Sequence, residues 1–176
     1  MLGIIPVKMS ERLPGKHLLK IGGTTLLESV VNRVSAVMEV QVYSRVSIPI
    51  PYVPDSSSNI MELVSELTVK YGAFMLVGGD MPFFTLGDLK KLLDNYSGRA
   101  AVPRHPDGRI EPMFAIYSGK LKPQKNLIAM IHAMKPVYID AAEFSRYAFF
   151  NINTEEDYRN ATGIRNKMDE SGNIME

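Results

Sequence analysis

The stretch Ala73-Phe-Met-Leu-Val-Gly-Gly-Asp-Met-Pro82 constrains the fold of this chain more than any other. Phe74 to Val77 are bulky and apolar with no polar alternation, which predicts a strand covered on both faces, and therefore a parallel sheet between helical layers. Gly78 and Gly79 end the strand where a ligand can approach the backbone, and they leave Asp80 at its carboxyl end, the edge at which open α/β sheets bind ligands. Pro82 stiffens the exit and Thr85 starts a new helix. On these residues alone Asp80 is either a metal ligand or a cap for its own turn.

The rest of the chain supplies alternating elements around that strand. Leu2 to Val7 predicts a first strand, opened at its end by Pro6, which has no N–H. The loop Lys8-Met-Ser-Glu-Arg-Leu-Pro-Gly-Lys16 follows, with cations at Lys8, Arg12 and Lys16 around a Pro-Gly turn. Arg12 and Lys16 are expected to converge on one small anion such as a phosphate, the alternative being a solvated surface loop. Gly22-Gly23-Thr24 lead into an amphipathic helix from about Thr25 to Met38. Val40 to Ser44 reads as a second strand and Ile48 to Val53, broken by prolines, as a short edge strand ending at Pro54-Asp55. Ser57 or Ser58 is expected to cap the next helix, whose stripe is Ile60, Leu63, Val64, Leu67 and Tyr71, closed by Gly72.

Thr85-Leu-Gly-Asp88 has the form of a capping box with Asp in the usual Glu position. Ala100 to Pro103 is a further strand. Asp107-Gly108 signals a hairpin into Ile110 to Tyr117, an antiparallel addition to the sheet. A helix over Leu127 to Met134 and strands at Val137 to Ile139 and Tyr147 to Phe150 complete the sheet, and Thr154 caps a last helix with three carboxylates in its first turn. In an extended Asn151-Ile-Asn153 the two asparagines point the same way. The tail from Lys167 onward reads as frayed. The alternation of strand and helix predicts a mostly parallel α/β sheet with right-handed crossovers, in a single domain over residues 1–176.

Composition removes several classes of function. A net charge of +1 provides no basic field for nucleic acid, and no window approaches the roughly 20 apolar residues of a membrane span. Without an apolar leader the expected location is cytoplasmic. There is no cysteine, so disulfides, thiolate catalysis and sulfur-ligated zinc are excluded, and three scattered histidines make a multi-His metal site improbable. The methionines are scattered and read as core filling.

Three segments carry a resemblance: Gly-Gly-Asp80-Met-Pro-Phe, Glu111-Pro-Met-Phe-Ala-Ile-Tyr117 and Phe150-Asn-Ile-Asn-Thr-Glu-Glu-Asp157. In that order the chain, from Ile4 to about Tyr158, resembles the GT-A type nucleotidyltransferases, and among them the molybdenum cofactor guanylyltransferases. The resemblance implies a Rossmann-like three-layer sandwich with a mostly parallel sheet and an antiparallel addition. It implies transfer of GMP from GTP to a phosphorylated acceptor, molybdopterin, with release of pyrophosphate. Arg12 and Lys16 would bind the nucleotide phosphates, Asp80 would hold Mg²⁺ beside the ligand-facing Gly79, Asp55 would contact the base, and Asn151 and Asn153 would lie at the active site. The chain departs from that pattern at Ile5-Pro-Val-Lys8, where the family has glycines, and after Asp55, where a Gly-Pro-Leu is replaced. Arg12-Leu-Pro-Gly-Lys16 resembles instead the CMP-sugar synthetases, which use CTP, and Ile5-Pro-Val-Lys8 the phospholactate guanylyltransferases. Cytidylyl transfer, another guanylyl transfer of the cobinamide or phospholactate type, and nucleotide binding without turnover stand as alternatives.

Overall fold

The computed structural model describes residues 1–170. In chain order it contains β1 (Leu2–Val7), the hairpin β2 (Lys20–Ile21) and β3 (Thr24–Thr25), α1 (Leu26–Ser35), β4 (Glu39–Ser44), β5 (Val53–Pro54), α2 (Ile60–Tyr71), β6 (Ala73–Val77), α3 (Leu86–Asp94), β7 (Ala101–Arg104), β8 (Phe114–Ser118), α4 (Leu127–Ala133), β9 (Val137–Asp140) and α5 (Glu155–Glu170). Seven strands form one sheet in the order β5-β4-β1-β6-β8-β7-β9, with β8 alone antiparallel to its neighbours.

The unbroken apolar run behaves as its composition requires. Phe74 to Val77 are fully buried, with Met75 and Val77 on one face and Phe74 and Leu76 on the other. The first face is covered by Leu27, Val30 and Val34 of α1 and Leu89 and Leu92 of α3. The second is covered by Leu63, Val64 and Leu67 of α2 and Leu127, Met130 and Ile131 of α4. A strand residue points alternately to either layer, so each face of β6 anchors one helical layer of a three-layer α/β sandwich.

Local chemistry accounts for most element ends, and corrects some of them. The Thr85–Asp88 capping box forms as expected, with Asp88 Oδ2 accepting from the Thr85 N–H at 2.7 Å. The second helix is capped not by a serine but by Asn59, whose Oδ1 accepts from the N–H groups of Met61 and Glu62 at 3.0 Å each, because the Ser57 hydroxyl is already given to Asp55. Ile48 to Val53 yields only the two-residue β5, its prolines having no N–H to give a ladder. Gly22-Gly23 closes a two-stranded hairpin before α1, which the sequence reading ran straight into the helix. The expected antiparallel addition is present, as an interior strand of the sheet. It starts at Phe114 and inserts between β6 and β7, paired along its length with β6 and with β7 at Ala101↔Ile116.

Tyr147 to Phe150 is not a strand. Its backbone closes local bonds, Ala148 N–H to Ser145 O and Phe150 N–H to Tyr147 O at 3.0 Å each, while Phe149 wedges against Phe114 and Phe144. The expected frayed tail is helical from Lys167 to Glu170, and the remainder of it lies outside the described residues.

Asp88 also ties this turn to the sheet. The carboxylate is 3% exposed and accepts from the N–H of Ser145 at 2.8 Å and from its hydroxyl, in addition to Thr85. Asp88→Ala orphans two half-buried backbone donors, those of Thr85 and Ser145, so a loss of about 2 kcal/mol is expected in denaturant melts. An unchanged midpoint would show that water satisfies those donors in the variant.

Candidate functional site

The chain leaves β1 and β6, which are neighbours, in opposite directions across the sheet. From β1 it proceeds to β4 and β5 on one flank, whereas from β6 it proceeds to β7, β8 and β9 on the other. The two loops therefore diverge and leave a crevice at the carboxyl edge, the switch point where open α/β sheets hold ligands. The β1–β6 ladder stops at Ile4↔Leu76, while β1 stays paired to β4 through Val7, so Pro6 lies in a continuous strand whose open side faces β6.

Both loops bring one charged residue to that crevice. After β1, Gly15 adopts φ +69° and starts a short 3-10 turn at Lys16–Leu18. After β6, Gly78 donates to the Met113 carbonyl at 2.8 Å, and Met81 N–H closes a tight turn on Gly78 O at 3.2 Å that presents Asp80. A Cβ on Gly78 would stand 2.9 Å from Asp80 Oδ1, whereas one on Gly79 would make ordinary contacts with Ile5 and Pro6 at 3.4 and 3.6 Å. The glycine the carboxylate needs is therefore Gly78, with Gly79 packed against the end of β1.

Lys16 and Asp80, 64 residues apart in sequence, form an ion pair at 2.6 Å. An ammonium has three hydrogens, and Lys16 places the other two on the Ile152 carbonyl at 3.0 Å and on Asn153 Oδ1 at 2.9 Å. Ile152 N–H in turn donates to the Asp80 carbonyl at 3.0 Å. Three segments distant in sequence are thereby tied at one ammonium. Beneath them Leu13, Ile21, Leu26, Phe83, Ile152 and Ala161 form a small apolar cluster of their own, which holds the first loop, the Asp80 loop and α5 together.

The other residues expected at the site are placed less closely. Arg12 is exposed and stands outside this cluster. Asn151 donates to the Phe149 carbonyl at 3.0 Å, so of the two asparagines it is Asn153 that reaches Lys16. Asp157 accepts from the N–H groups of Asn153 and Thr154 at 3.0 and 2.9 Å, and the first of these bonds holds its carboxyl below the usual range. Asp55 stands at the same sheet edge, past β5. Its side chain is 8% exposed, Oδ1 accepts from the Ser57 N–H and hydroxyl at 2.9 and 2.6 Å, and Oδ2 lies 3.7 Å from Arg45 Nε.

Sequence reading missed Arg33. Its guanidinium is buried beneath the Asp80 loop, donates to the Pro82 carbonyl and to Ser29 Oγ, and lies 5.8 Å from the centroid of the Phe84 ring. Burial pushes its pKa down to about 10. The available signal was a cation inside the apolar stripe of Val30 and Val34.

No group of three His, Asp or Glu side chains suited to a metal gathers among the described residues. A single carboxylate in a tight turn nevertheless suits Mg²⁺, which keeps several waters and binds through one or two carboxylates together with substrate phosphates. Among the described residues no helix is long and apolar enough to cross a membrane.

Comparison with known proteins bears on the family and the fold. Residues 8–134 match the family model of the MobA-like NTP transferase domain. The probable molybdenum cofactor guanylyltransferase of Pyrococcus furiosus is 32% identical over 108 residues, which are 53% of this chain and 55% of that protein. The chain thus spans about half the length of the curated relatives it matches. Among solved structures, the molybdopterin-guanine dinucleotide biosynthesis protein A of Archaeoglobus fulgidus superposes with a TM-score of 0.77 at 20% identity, covering 96% of this chain and 100% of that one. A cytidylyltransferase of Leptospira borgpetersenii superposes with a TM-score of 0.69 at 16% identity, covering 99% and 96%. At such identities these two likenesses bear on the fold.

Proposed function

The chain belongs to the MobA-like NTP transferase domain family, and from that premise we propose that it transfers GMP from GTP to the phosphate of molybdopterin, with release of pyrophosphate. The observation that carries this reading is the convergence of Lys16, Asp80 and Asn153 at the switch point of the sheet. An acceptor phosphate oxygen attacks the α-phosphorus as the bond to the β-phosphate oxygen breaks. The acceptor is already ionised near neutral pH, so no general base is required, and the work of the protein is positioning and charge.

Each residue has a part in that work. Asp80 would hold Mg²⁺, which when bound neutralises phosphate charge at the reacting centre. Lys16, three of whose contacts are already made, supplies a point charge beside Asp80, and exchanging one contact for a phosphate oxygen leaves the other two to keep it in place. Arg12, exposed in the loop after β1, would take the outer phosphates with its planar fork. Asn153, which accepts from Lys16, and Asn151, two residues before it, would border the bound phosphates.

Thermal shifts with GTP, CTP, ATP and UTP, each with Mg²⁺, test the nucleotide, since a ligand at a hundred times its dissociation constant stabilises by about 2.7 kcal/mol. Pyrophosphate release with GTP and molybdopterin tests the transfer. Nucleotide binding with no release would leave a binding protein without turnover.

The base is tested at Asp55. Guanine presents N1–H and N2–H₂ side by side, a pair that a carboxylate accepts together, whereas cytosine presents only its N4 donor. For Asp55 to read guanine it must share oxygens now accepting from Ser57, which its spare lone pairs allow. Asp55→Asn is then expected to lower turnover with GTP by roughly tenfold or more while leaving CTP and ATP unchanged, because the new amide group opposes one guanine donor. A wild type that prefers CTP, or a GTP preference that survives the substitution, would transfer the assignment to the cytidylyltransferases, which the first loop Arg12-Leu-Pro-Gly-Lys16 resembles.

A further inference from the structure

The product of the proposed reaction carries a similar ring at either end. Guanine and the acceptor's pterin both present a 2-amino-4-oxo-pyrimidine face, a ring N–H beside an amino group, and a carboxylate is the side chain that accepts both donors. Asp55 stands on the β5 flank of the Lys16–Asp80 centre. On the opposite flank stands Glu111.

Glu111 lies in the turn between β7 and β8. Its N–H donates to the Pro103 carbonyl at 3.1 Å, its own carbonyl accepts from Phe114 at 3.0 Å, and two residues on, the Met113 carbonyl accepts from Gly78 at 2.8 Å. It is thus fixed to the strand that carries Asp80. The His105 Nε2 stands 2.7 Å from Glu111 Oε1, with the two side chains 22% and 18% exposed. A carboxylate only accepts, so His105 is the donor in that bond, and it holds the carboxylate in one orientation. Oε2 makes no hydrogen bond among the described residues, and the nearby Arg109 is engaged by Asp107 at 2.7 Å.

The pair is also continuous with the reacting centre. The His105 ring packs edge-on to Phe149 at 5.6 Å between centroids, the Phe149 carbonyl accepts from Asn151, and the next residue, Ile152, bonds both Asp80 and Lys16. With strands about 4.8 Å apart, Glu111 lies roughly 5–10 Å to one side of β6, and Asp55 roughly 14 Å to the other. A two-headed molecule with its phosphates at Asp80 reaches toward both.

We propose that Glu111, oriented by His105, recognises the amino-oxo-pyrimidine ring of the acceptor, across the reacting centre from Asp55. This assignment rests on the reading above in that the acceptor is a pterin. Neopterin, a stable fluorescent pterin, is the probe, titrated by fluorescence quenching alongside thermal shifts with GTP and Mg²⁺. Wild type is expected to bind it. Glu111→Gln keeps the size and the bond from His105 but opposes one donor of the ring with its amide group, so neopterin affinity should fall roughly ten- to hundredfold while the GTP shift stays as in wild type. His105→Asn, which only loosens the carboxylate, should weaken neopterin less, and Asp55→Asn should leave it unchanged. The proposal is overturned if wild type does not bind neopterin, if Glu111→Gln binds it as well as wild type does, or if that variant loses neopterin and GTP together. Neopterin binding that depends on Glu111 in a protein that releases no pyrophosphate would end the transfer reading and leave the pterin site standing.

Discussion

Asp80→Asn is expected to lower pyrophosphate release by roughly a thousandfold while the protein melts almost as wild type does. The asparagine fits the same turn, because the steric demand is on Gly78, where a Cβ would press on Oδ1 at 2.9 Å, and an amide oxygen occupies no more space than a carboxylate oxygen. Its carbonyl can still accept from Lys16, and Lys16 keeps the Ile152 carbonyl and Asn153. The Lys16–Asp80 pair is partly exposed, 15% and 21%, so its loss should cost at most about 1 kcal/mol of stability. What disappears is the charge. A neutral amide binds a hard divalent cation far less well, and Lys16 then faces the phosphates without its counter-charge. Steady-state rates over a range of Mg²⁺ concentrations, with calorimetric melting, separate the two effects. If activity and fold were lost in proportion, Asp80 would be a cap of its turn and nothing more. If the variant turned over within a few-fold of wild type, the metal would have to be held elsewhere.

How much of this was legible in the sequence depends on how local each cause is. The β6 run and the Thr85–Asp88 box were readable because burial on both faces and a cap leave their mark within a few residues. The place of β8 was not, since an Asp-Gly turn announces an antiparallel strand but not that it will slot between β6 and β7. Tyr147 to Phe150 misled for a similar reason. Four residues rich in aromatics have strand propensity, yet here the rings are wanted as wedges against Phe114, Phe144 and Phe83, and the backbone turns to deliver them. For the site, sequence named the two charges and the asparagine but gave them separate tasks. That Lys16, Asp80 and Asn153 share one hydrogen-bonded knot follows from strand order, a property of the whole sheet. His105 and Glu111 are six residues apart, across a turn closed by Gly108, and so were within reach of the hairpin reading.

Lys16→Ala and Arg12→Ala should separate chemistry from binding. Lys16 is held on the inner side of the crevice by three acceptors, beside the carboxylate proposed to hold the cation, so its charge acts where negative charge builds up as the α-phosphorus is attacked. Its removal should lower kcat by roughly a hundred- to a thousandfold with a smaller change in KM for GTP. Arg12 is exposed and outside the knot, and its fork contacts the outer phosphates in ground state and transition state alike. Its removal should therefore raise KM for GTP about tenfold and leave kcat nearly as it was. Lys16→Ala also removes the bonds to the Ile152 carbonyl and Asn153 and leaves only the one from the Ile152 N–H to the Asp80 carbonyl to tie that segment to the Asp80 loop, so a modest loss in melting temperature is expected from it and none from Arg12→Ala. A purely structural Lys16 would show that melting loss with an unchanged kcat, because the apolar cluster of Leu13, Phe83 and Ile152 alone would then suffice to place the reacting groups. Should both variants turn over as wild type does, the first loop is solvated surface, and the phosphates must be bound by backbone N–H groups at the ends of β1 and β6.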